Sequence, residues 1–255
     1  MTSSVDAPDQ NGDRGATHGI HLSALVPVYN EAETIAEIVR RLEQISIIRQ
    51  IVVVDDGSLD ETPVIVKRLA EAGRIIAHFH GRNRGKGAAL RHALKLAKED
   101  YLVIQDADLE YDPQDFYAMA QVVQETGAQV VYGSRFLSAR RTGMLWTHYL
   151  GNRFLTIFFN VLYGQRLTDM ETCYKLFRTD LLQQLGIVND RFDIDPELTA
   201  KIVRAGHKIY EVPVSYAGRP YLAGKKIRPA DAFSAIKTLW DYRHWQPEDS
   251  PTKRG

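Results

Sequence analysis

Three acidic side chains follow an apolar stretch at alternating positions, an arrangement suited to binding a divalent cation. Residues Tyr101 to Ile104 are typical of a buried strand, and Asp106, Asp108 and Glu110 come directly after them. A strand points every second side chain to one face, so the three carboxylates converge if the extended conformation persists. Carboxylate oxygens without neighbouring Cys or His favour Mg²⁺ or Mn²⁺ over zinc. The alternative is a solvated turn, in which Asp is common.

A second group of acids, Asp55 and Asp56, follows another apolar run. That run, Ile51 to Val54, is β-branched throughout and typical of a strand buried on both faces. Open α/β sheets bind ligands at the carboxyl ends of their strands. The two groups of acids therefore predict a ligand site at one edge of a sheet.

The elements that position these acids alternate between strand and helix patterns. Strands are predicted at residues 22–28, 51–54, 75–79, 101–104 and 129–132, with helical patterns between them. This alternation predicts an α/β fold with a mostly parallel, Rossmann-like sheet flanked by helices. The sequence contains neither a G-x-G-x-x-G fingerprint after the first strand nor a G-x-x-x-x-G-K-[ST] motif, which disfavours dinucleotide oxidoreductases and P-loop nucleotidases.

Composition narrows the class of protein further. The chain has 255 residues, with 32 basic and 32 acidic side chains, and this balance argues against nucleic acid as a partner. A single cysteine, Cys173, excludes an intramolecular disulfide and favours a reducing, cytoplasmic compartment. We expect disordered tails at residues 1–20 and 246–255 around a single domain, residues 21–245, with no membrane-spanning segment.

Five short motifs together resemble glycosyltransferase family 2, most closely its dolichol-phosphate mannosyltransferase and polyprenyl-phosphate branch. The motifs are Pro27-Val28-Tyr29-Asn30-Glu31, Val54-Asp55-Asp56-Gly57-Ser58 with Asp60, Asn83-Arg84-Gly85-Lys86-Gly87, Asp106-Ala107-Asp108 and Gly133-Ser134-Arg135. The resemblance runs from about Leu22 to Tyr242. It implies a GT-A fold with a nucleotide-sugar half, residues 21–136, and an acceptor half, residues 137–245.

The resemblance also implies a donor site for a nucleotide-diphosphate sugar of the GDP-mannose or UDP-glucose type. Its members are Pro27, Tyr29, Glu31, Asp55, Asp56, Lys86, Asp106, Ala107 and Asp108. The first three correspond to contacts with the base and ribose. The adjacent acids correspond to readers of the base edge, where a carboxylate accepts from a base N–H. Asp106 and Asp108 correspond to a metal-binding motif, with Glu110 as a further candidate ligand. Lys86 lies near the nucleotide on this interpretation, and a solvated lysine remains the alternative.

The reaction implied is an inverting transfer of a hexose to a polyprenyl phosphate. A divalent metal stabilises the charge that develops on the leaving diphosphate. An ionised phosphate acceptor needs cations rather than a base, whereas a hydroxyl acceptor needs a carboxylate base. Arg135 is the phosphate ligand that the resemblance implies. Lys175, Arg178, Lys225 and Lys226 are further candidate cations, and Asp169 and Glu197 are the candidate bases.

Two segments favour peripheral contact with a membrane. Leu150, Phe154, Ile157, Phe158 and Val161 share one face of a predicted apolar helix. Such a helix is buried, interfacial or dimer-forming. The basic cluster at residues 224–228 suits anionic headgroups, with a solvated loop as the alternative. Membrane contact would then be peripheral at the cytoplasmic face, or would depend on a separate membrane partner.

Two other functions remain open from the sequence. One is the same donor chemistry with a saccharide or another soluble hydroxyl acceptor. The other is a non-catalytic protein that binds a nucleotide sugar.

Overall fold

A mostly parallel sheet forms the centre of the protein. The computed structural model describes residues 19–138, 141–191, 193–218 and 229–247. The strands in these ranges are β1 (Leu22–Val28), β2 (Ile48–Asp55), β3 (Ile76–Phe79), β4 (Tyr101–Ile104), β5 (Val130–Ser134), β6 (Arg141–Thr142), β7 (Lys175–Arg178), β8 (Tyr210–Pro213) and β9 (Tyr216–Ala217). The helices are α1 (Ile35–Glu43), α2 (Thr62–Glu71), α3 (Lys86–Leu96), α4 (Phe116–Thr126), α5 (Trp146–Tyr163), α6 (Thr179–Leu185), α7 (Ile194–Arg204) and α8 (Pro229–Asp241).

Seven of these strands form the main sheet, in the order β3-β2-β1-β4-β7-β5-β8. All pairings in it are parallel except those of β7, which runs antiparallel to both β4 and β5. The predicted α/β class and the strand–helix alternation are confirmed. The sheet takes strands from both predicted halves of the chain, while the division into those halves stays a prediction.

The direction of β7 decides which residues lie at the site edge. Leu176 pairs with Val103 and Arg178 pairs with Tyr101, the first residue of β4. The segment just before β7 therefore lies beside the carboxyl end of β4, the end that leads into Asp106. Arg178 lies at the opposite edge of the sheet.

The core is divided between the two faces of the sheet. In β2, Ile51 and Val53 belong to a cluster with helices α1, α2 and α4, whereas Val52 and Val54 belong to a cluster with α3, α6 and α7. Successive side chains of a strand point to opposite faces, so a strand buried on both faces has no polar position along it. This explains the unbroken β-branched run.

A third, smaller cluster joins α5 to α8. Leu155 and Phe159 of α5 pack there with Ala235 and Leu239 of α8. The Tyr163 hydroxyl donates to the Leu239 carbonyl at 2.7 Å. The apolar α5 thus buries one face, and its other side remains available to solvent or to a partner.

Several predictions fall outside the described residues. These are the disordered tails, apart from residues 19–20 and 246–247, and the basic cluster that contains Lys225 and Lys226. Within the described ranges, none of the helices combines the length and apolarity that a membrane crossing requires.

Candidate active site

The chain leaves the extended conformation as soon as β4 ends. Residues 105–110 form a turn in which Leu109 has a positive φ of 61°. The condition under which Asp106, Asp108 and Glu110 would share one strand face, an extended conformation beyond β4, is therefore not met. Gln105 supports the turn instead: its side-chain oxygen accepts from the Tyr174 hydroxyl at 2.7 Å, and its amide donates to the Asp106 carbonyl at 2.9 Å.

Lys86 lies directly against the first acid of this turn. Its ammonium is 2.7 Å from Asp106 Oδ1 and 3.4 Å from the Cys173 thiol. Burial is the largest single influence and lowers the pKa of Lys86, but the negative charges of Asp106, Cys173 and Asp195 together outweigh it and raise that pKa. The solvated-lysine alternative is therefore wrong, and Lys86 belongs to the candidate site.

The turn offers oxygen ligands of the kind that bind hard cations. Asp106 is buried, while Asp108 and Glu110 are partly exposed. Asp108 Oδ1 accepts from the Glu110 backbone N–H at 3.2 Å, and Glu110 Oε2 accepts from the Tyr216 hydroxyl at 2.9 Å. Carboxylates alone, without sulfur or imidazole, suit Mg²⁺ or Mn²⁺. Their roles as metal ligands stay predictions that the chemistry of this donor set supports.

The two adjacent acids after β2 have different surroundings. Asp55 Oδ2 accepts from the Ser58 backbone N–H at 3.2 Å, while its buried Oδ1 has no hydrogen-bond partner among the described residues. Asp56 accepts from His80 Nδ1 at 2.7 Å and from the backbone N–H groups of Arg84 and Gly85. Asp56 thus fixes the conformation of the turn before Lys86 through hydrogen bonds. Asp55 Oδ1 can accept a hydrogen bond from a ligand. Base reading by either acid stays a prediction.

The first-strand motif is tied to the loop after β2. The Asn30 backbone N–H donates to Ser58 Oγ at 2.9 Å, and the Glu31 N–H donates to Thr62 Oγ1 at 2.9 Å. Tyr29 is 41% exposed beside this junction, so its ring is accessible to a ligand. Pro27, Tyr29 and Glu31 are thereby placed at the carboxyl edge of β1, as predicted, while their contacts with a nucleotide remain predictions.

The glycine turn packs against a second loop, which accounts for its composition. A Cβ on Gly85 would lie 2.3 Å from the Asp190 carbonyl oxygen, and one on Gly87 would lie 2.1 Å from that of Asn189. Glu197, in turn, accepts from the backbone N–H groups of Val188 and Asn189, both at 2.8 Å, and binds the Lys201 ammonium at 2.6 Å. Glu197 is fully buried and committed to this loop, so the structure argues against its predicted role as a base.

Arg135 and Asp169 form a buried ion pair. The guanidinium donates through Nε to Oδ2 and through Nη2 to Oδ1, both at 2.7 Å, and the Arg135 backbone N–H also donates to Oδ2. The Arg135 guanidinium, which was predicted to hold an acceptor phosphate, instead holds the Asp169 carboxylate. The same contacts commit Asp169, which was the other predicted base, to Arg135.

Lys175 and Arg178 of β7, which were predicted to bind the acceptor phosphate, also pair with acidic residues of the protein. Lys175 is fully buried, where its ammonium binds Asp195 and donates to the Thr172 carbonyl at 2.6 Å. Arg178 is exposed at the far edge of the sheet and pairs with Asp180 at 2.6 Å. These positions correct both predictions: Lys175 neutralises an internal acid, and Arg178 lies away from the site.

Glu171 is an acid of the site that the sequence did not single out. It precedes β7, at the edge occupied by Asp106, and its buried Oε1 has no hydrogen-bond partner among the described residues. Burial raises the pKa of Glu171 to about 7, and the negative charge of Asp195 adds to this shift. Its position two residues before Cys173 in an acid-rich stretch was the only sequence signal.

The chain is similar in sequence to known glycosyltransferases. The sequence pattern of the family described as glycosyl transferase family 2 matches residues 23–186. Glycosyltransferase AglJ of Haloferax volcanii is 31% identical over 198 residues, covering 77% of this chain and 63% of AglJ. The low-salt glycan biosynthesis hexosyltransferase Agl6 of the same organism is 29% identical over 244 residues, covering 85% and 57% respectively. The chain thus spans less than two thirds of either relative.

Solved structures of one enzyme share the fold. Glucosyl-3-phosphoglycerate synthase from Mycobacterium tuberculosis, in complex with Mn²⁺, UDP-glucose and phosphoglyceric acid, superposes with a TM-score of 0.67 at 20% identity. The match covers 91% of this chain and 82% of that enzyme. The likeness confirms the predicted GT-A fold.

We predict that Asp169→Asn destabilises the protein. The substitution leaves the buried Arg135 guanidinium without its counter-charge, which costs about 3–5 kcal/mol of the free energy of unfolding. Asp180→Asn is the matched control, because it removes an exposed partner of Arg178 and should cost at most about 1 kcal/mol. Urea denaturation measures both, and equal losses would contradict a structural role for the Arg135–Asp169 pair.

Proposed function

The chain belongs to glycosyltransferase family 2, and we propose that it is a metal-dependent inverting enzyme that transfers a hexose from a nucleotide-diphosphate sugar to a polyprenyl phosphate. The exposed apolar stripe on α5, within the predicted acceptor half, is the observation that carries the choice of a lipid acceptor. The donor half of the proposal rests on the acids at the carboxyl edge of the sheet.

On the donor side, Asp106 and Asp108 would hold Mg²⁺ or Mn²⁺, with Glu110 as a further ligand. When bound, the ion neutralises charge on the diphosphate as the sugar leaves. Lys86 holds Asp106 in place from within the protein, since its ammonium contacts Oδ1. The unengaged oxygen of Asp55 is suited to accept from a base N–H. A related fold that binds Mn²⁺ with UDP-glucose supports this assignment.

On the acceptor side, α5 exposes one continuous apolar face. Leu150, Phe154, Ile157 and Val161 are spaced as neighbours on one side of the helix and are 50–81% exposed. Trp146 extends the stripe at 70% exposure. The helix contains no acidic residue. Contiguous exposed apolar side chains mark an interaction surface, and a lipid chain or the membrane that contains it fits this one.

The helix that carries the stripe, α5, also contacts the segments around Asp169 and Arg135. Arg153 of α5 donates to the Thr168 carbonyl at 3.2 Å, one residue before Asp169. Its guanidinium also lies over the Phe136 ring, next to Arg135. A polyprenyl chain resting on α5 would therefore bring its phosphate towards this region. Lys225 and Lys226 stay candidates for holding that phosphate.

A soluble hydroxyl acceptor is the second candidate, and Glu171 favours it. A hydroxyl needs a base, and a carboxylate with a pKa near the working pH is the effective kind. Glu171 has a pKa of about 7 and a buried oxygen with no hydrogen-bond partner among the described residues. Asp169 and Glu197 lack this freedom, because each is committed to buried cations or backbone groups.

We predict that Asp106→Asn and Asp108→Asn remove the metal-dependent part of donor binding. Each change replaces a charged oxygen ligand by a neutral amide, which binds a hard divalent cation more weakly. Calorimetric titration with UDP-glucose and GDP-mannose, each with and without Mn²⁺, provides the measurement. Asp112→Asn, which alters an exposed acid nearby, should behave like the wild type. Retention of Mn²⁺-dependent affinity in both site variants would remove the metal assignment.

We predict that the double change Phe154→Glu and Val161→Glu prevents binding to vesicles that contain polyprenyl phosphate. Each exposed side chain contributes roughly 1.5–3 kcal/mol when it is fully buried in an apolar phase, and a buried carboxylate opposes insertion. Flotation of the wild type and of the variant gives the comparison. Val64→Glu on α2 is the control, since Val64 is also exposed.

Light scattering of the same proteins tests whether a second copy of the chain, and not a lipid, covers the stripe. If the wild type is a dimer that does not float, and the double variant is a monomer, the stripe is a subunit interface and the lipid acceptor loses its support. Flotation of the wild type and of Val64→Glu, but not of the double variant, supports it.

We predict that Glu171→Gln separates the two acceptor classes. With a hydroxyl acceptor the rate should fall on the order of a hundredfold or more, because the base is lost. The wild-type rate should rise as the pH passes about 7, since Glu171 becomes deprotonated there. With polyprenyl phosphate the variant should keep most of its turnover, because that acceptor is already ionised above its second pKa of about 6. Glu125→Gln, on an exposed helix face, is the control.

A further inference from the structure

Three histidines meet at the β3 edge of the sheet. His78 lies in β3, His80 follows two residues later, and His92 lies in α3. One ring nitrogen from each lies within 4.8 Å of those of the other two. The rings of His78 and His92 stack with centroids 3.4 Å apart, and His80 meets them edge-on at 5.5 and 5.6 Å. None of these residues has a role in the proposed transfer reaction.

The orientation of His80 is fixed by a carboxylate. Asp56 Oδ1 lies 2.7 Å from His80 Nδ1. An ionised carboxylate only accepts, so Nδ1 carries the proton and the lone pair of the neutral ring is on Nε2. That Nε2 is buried and has no hydrogen-bond partner among the described residues. A carboxylate on one ring nitrogen and an unengaged second nitrogen are the arrangement found behind metal-binding histidines.

The other two imidazoles have lone pairs available at neutral pH. Burial lowers the pKa of His78 and of His92, and neighbouring histidines add to the effect. Lys95 and Arg84 also lower the pKa of His92 through their positive charge. The same two cations oppose a metal ion, while the Asp56 carboxylate favours one. The ligand set must therefore bind through strong nitrogen donors rather than through net charge.

We propose that His78, His80 and His92 form a binding site for a borderline transition-metal ion, with Zn²⁺ as its representative. Imidazole suits Zn²⁺, Ni²⁺ and Cu²⁺, whereas Mg²⁺ and Mn²⁺ prefer oxygen ligands. Three histidines and one water complete a tetrahedral zinc site once the stacked His78 or His92 ring turns, so that both in-plane lone pairs point at the ion. The site is separate from the carboxylates at Asp106 and Asp108, and differs from them in the class of metal it selects.

The histidine site is connected to the turn that carries Lys86. Asp56, which orients His80, also accepts from the backbone N–H groups of Arg84 and Gly85. A metal on His80 Nε2 fixes the donor on Nδ1 and with it the Asp56 contacts. Occupancy should therefore stabilise the folded protein, because the ion binds the native arrangement and not the unfolded chain.

The test is a Zn²⁺ titration of the untagged protein in excess Mg²⁺, which occupies the carboxylate site. Competition with a chromophoric chelator gives stoichiometry and affinity, and thermal unfolding with and without Zn²⁺ gives the stabilisation. We expect one equivalent of Zn²⁺ in the wild type and binding weakened on the order of tenfold or more in His78→Gln and His92→Gln. His21→Gln, which removes an exposed histidine, should match the wild type.

A fall in Zn²⁺ affinity on the order of tenfold or more, with reduced thermal stabilisation, in both cluster variants but not in His21→Gln supports the site. Absence of binding to the wild type, or equal binding in all four proteins, overturns it. Unfolding without Zn²⁺ shows whether each variant is folded, and His78, partly exposed on an edge strand, is the safer substitution if His92→Gln is not.

Discussion

Buried ion pairs hold the carboxyl edge of the sheet together. Lys86 pairs with Asp106, Arg135 with Asp169 and Lys175 with Asp195. Each charge would be costly to bury alone, and the cost is offset only while its partner is present. The pairs connect α3 to the turn after β4, the residue that follows β5 to the segment before β7, and β7 to α7. The loops that form the candidate site are therefore positioned by charges that cancel locally.

This arrangement explains why neighbouring acids have opposite properties. Asp169 and Glu171 are two residues apart in the same segment. Asp169 accepts hydrogen bonds from the Arg135 guanidinium on both of its oxygens. Glu171 lies among acids and cations that are already committed, so burial dominates and its pKa rises to about 7. A group that changes protonation near neutral pH can move a proton, whereas a paired one can only hold position.

The sequence predicted what depends on local pattern. Continuous β-branched runs and helical spacing predicted the parallel strands and the helices between them, and the acids at strand ends predicted the edge of the sheet where the candidate site lies. It could not predict pairing over distance: Arg135 and Asp169 are 34 positions apart, and nothing local distinguishes a phosphate-binding arginine from one that neutralises an acid. Nor did any local pattern predict that β7 runs antiparallel, and this direction decides that Lys175 lies at the same edge as Asp106 while Arg178 lies at the opposite edge.

The charge balance at this edge bears on the nature of the acceptor. A phosphate monoester brings a charge of about −1.5 to −2 at pH 7, and Arg135 and Lys175 are each already neutralised by an acid. A phosphate acceptor therefore requires cations beyond these pairs, which the sequence offers in Lys225 and Lys226. A hydroxyl brings no charge and requires only a base such as Glu171. The exposed apolar stripe on α5 favours the proposed lipid acceptor, because a lipid has an apolar tail that could contact the stripe and a small hydroxyl acceptor has none. A polyprenyl phosphate, the acceptor that we propose, would use the stripe for its apolar tail and the two additional lysines for its charged head.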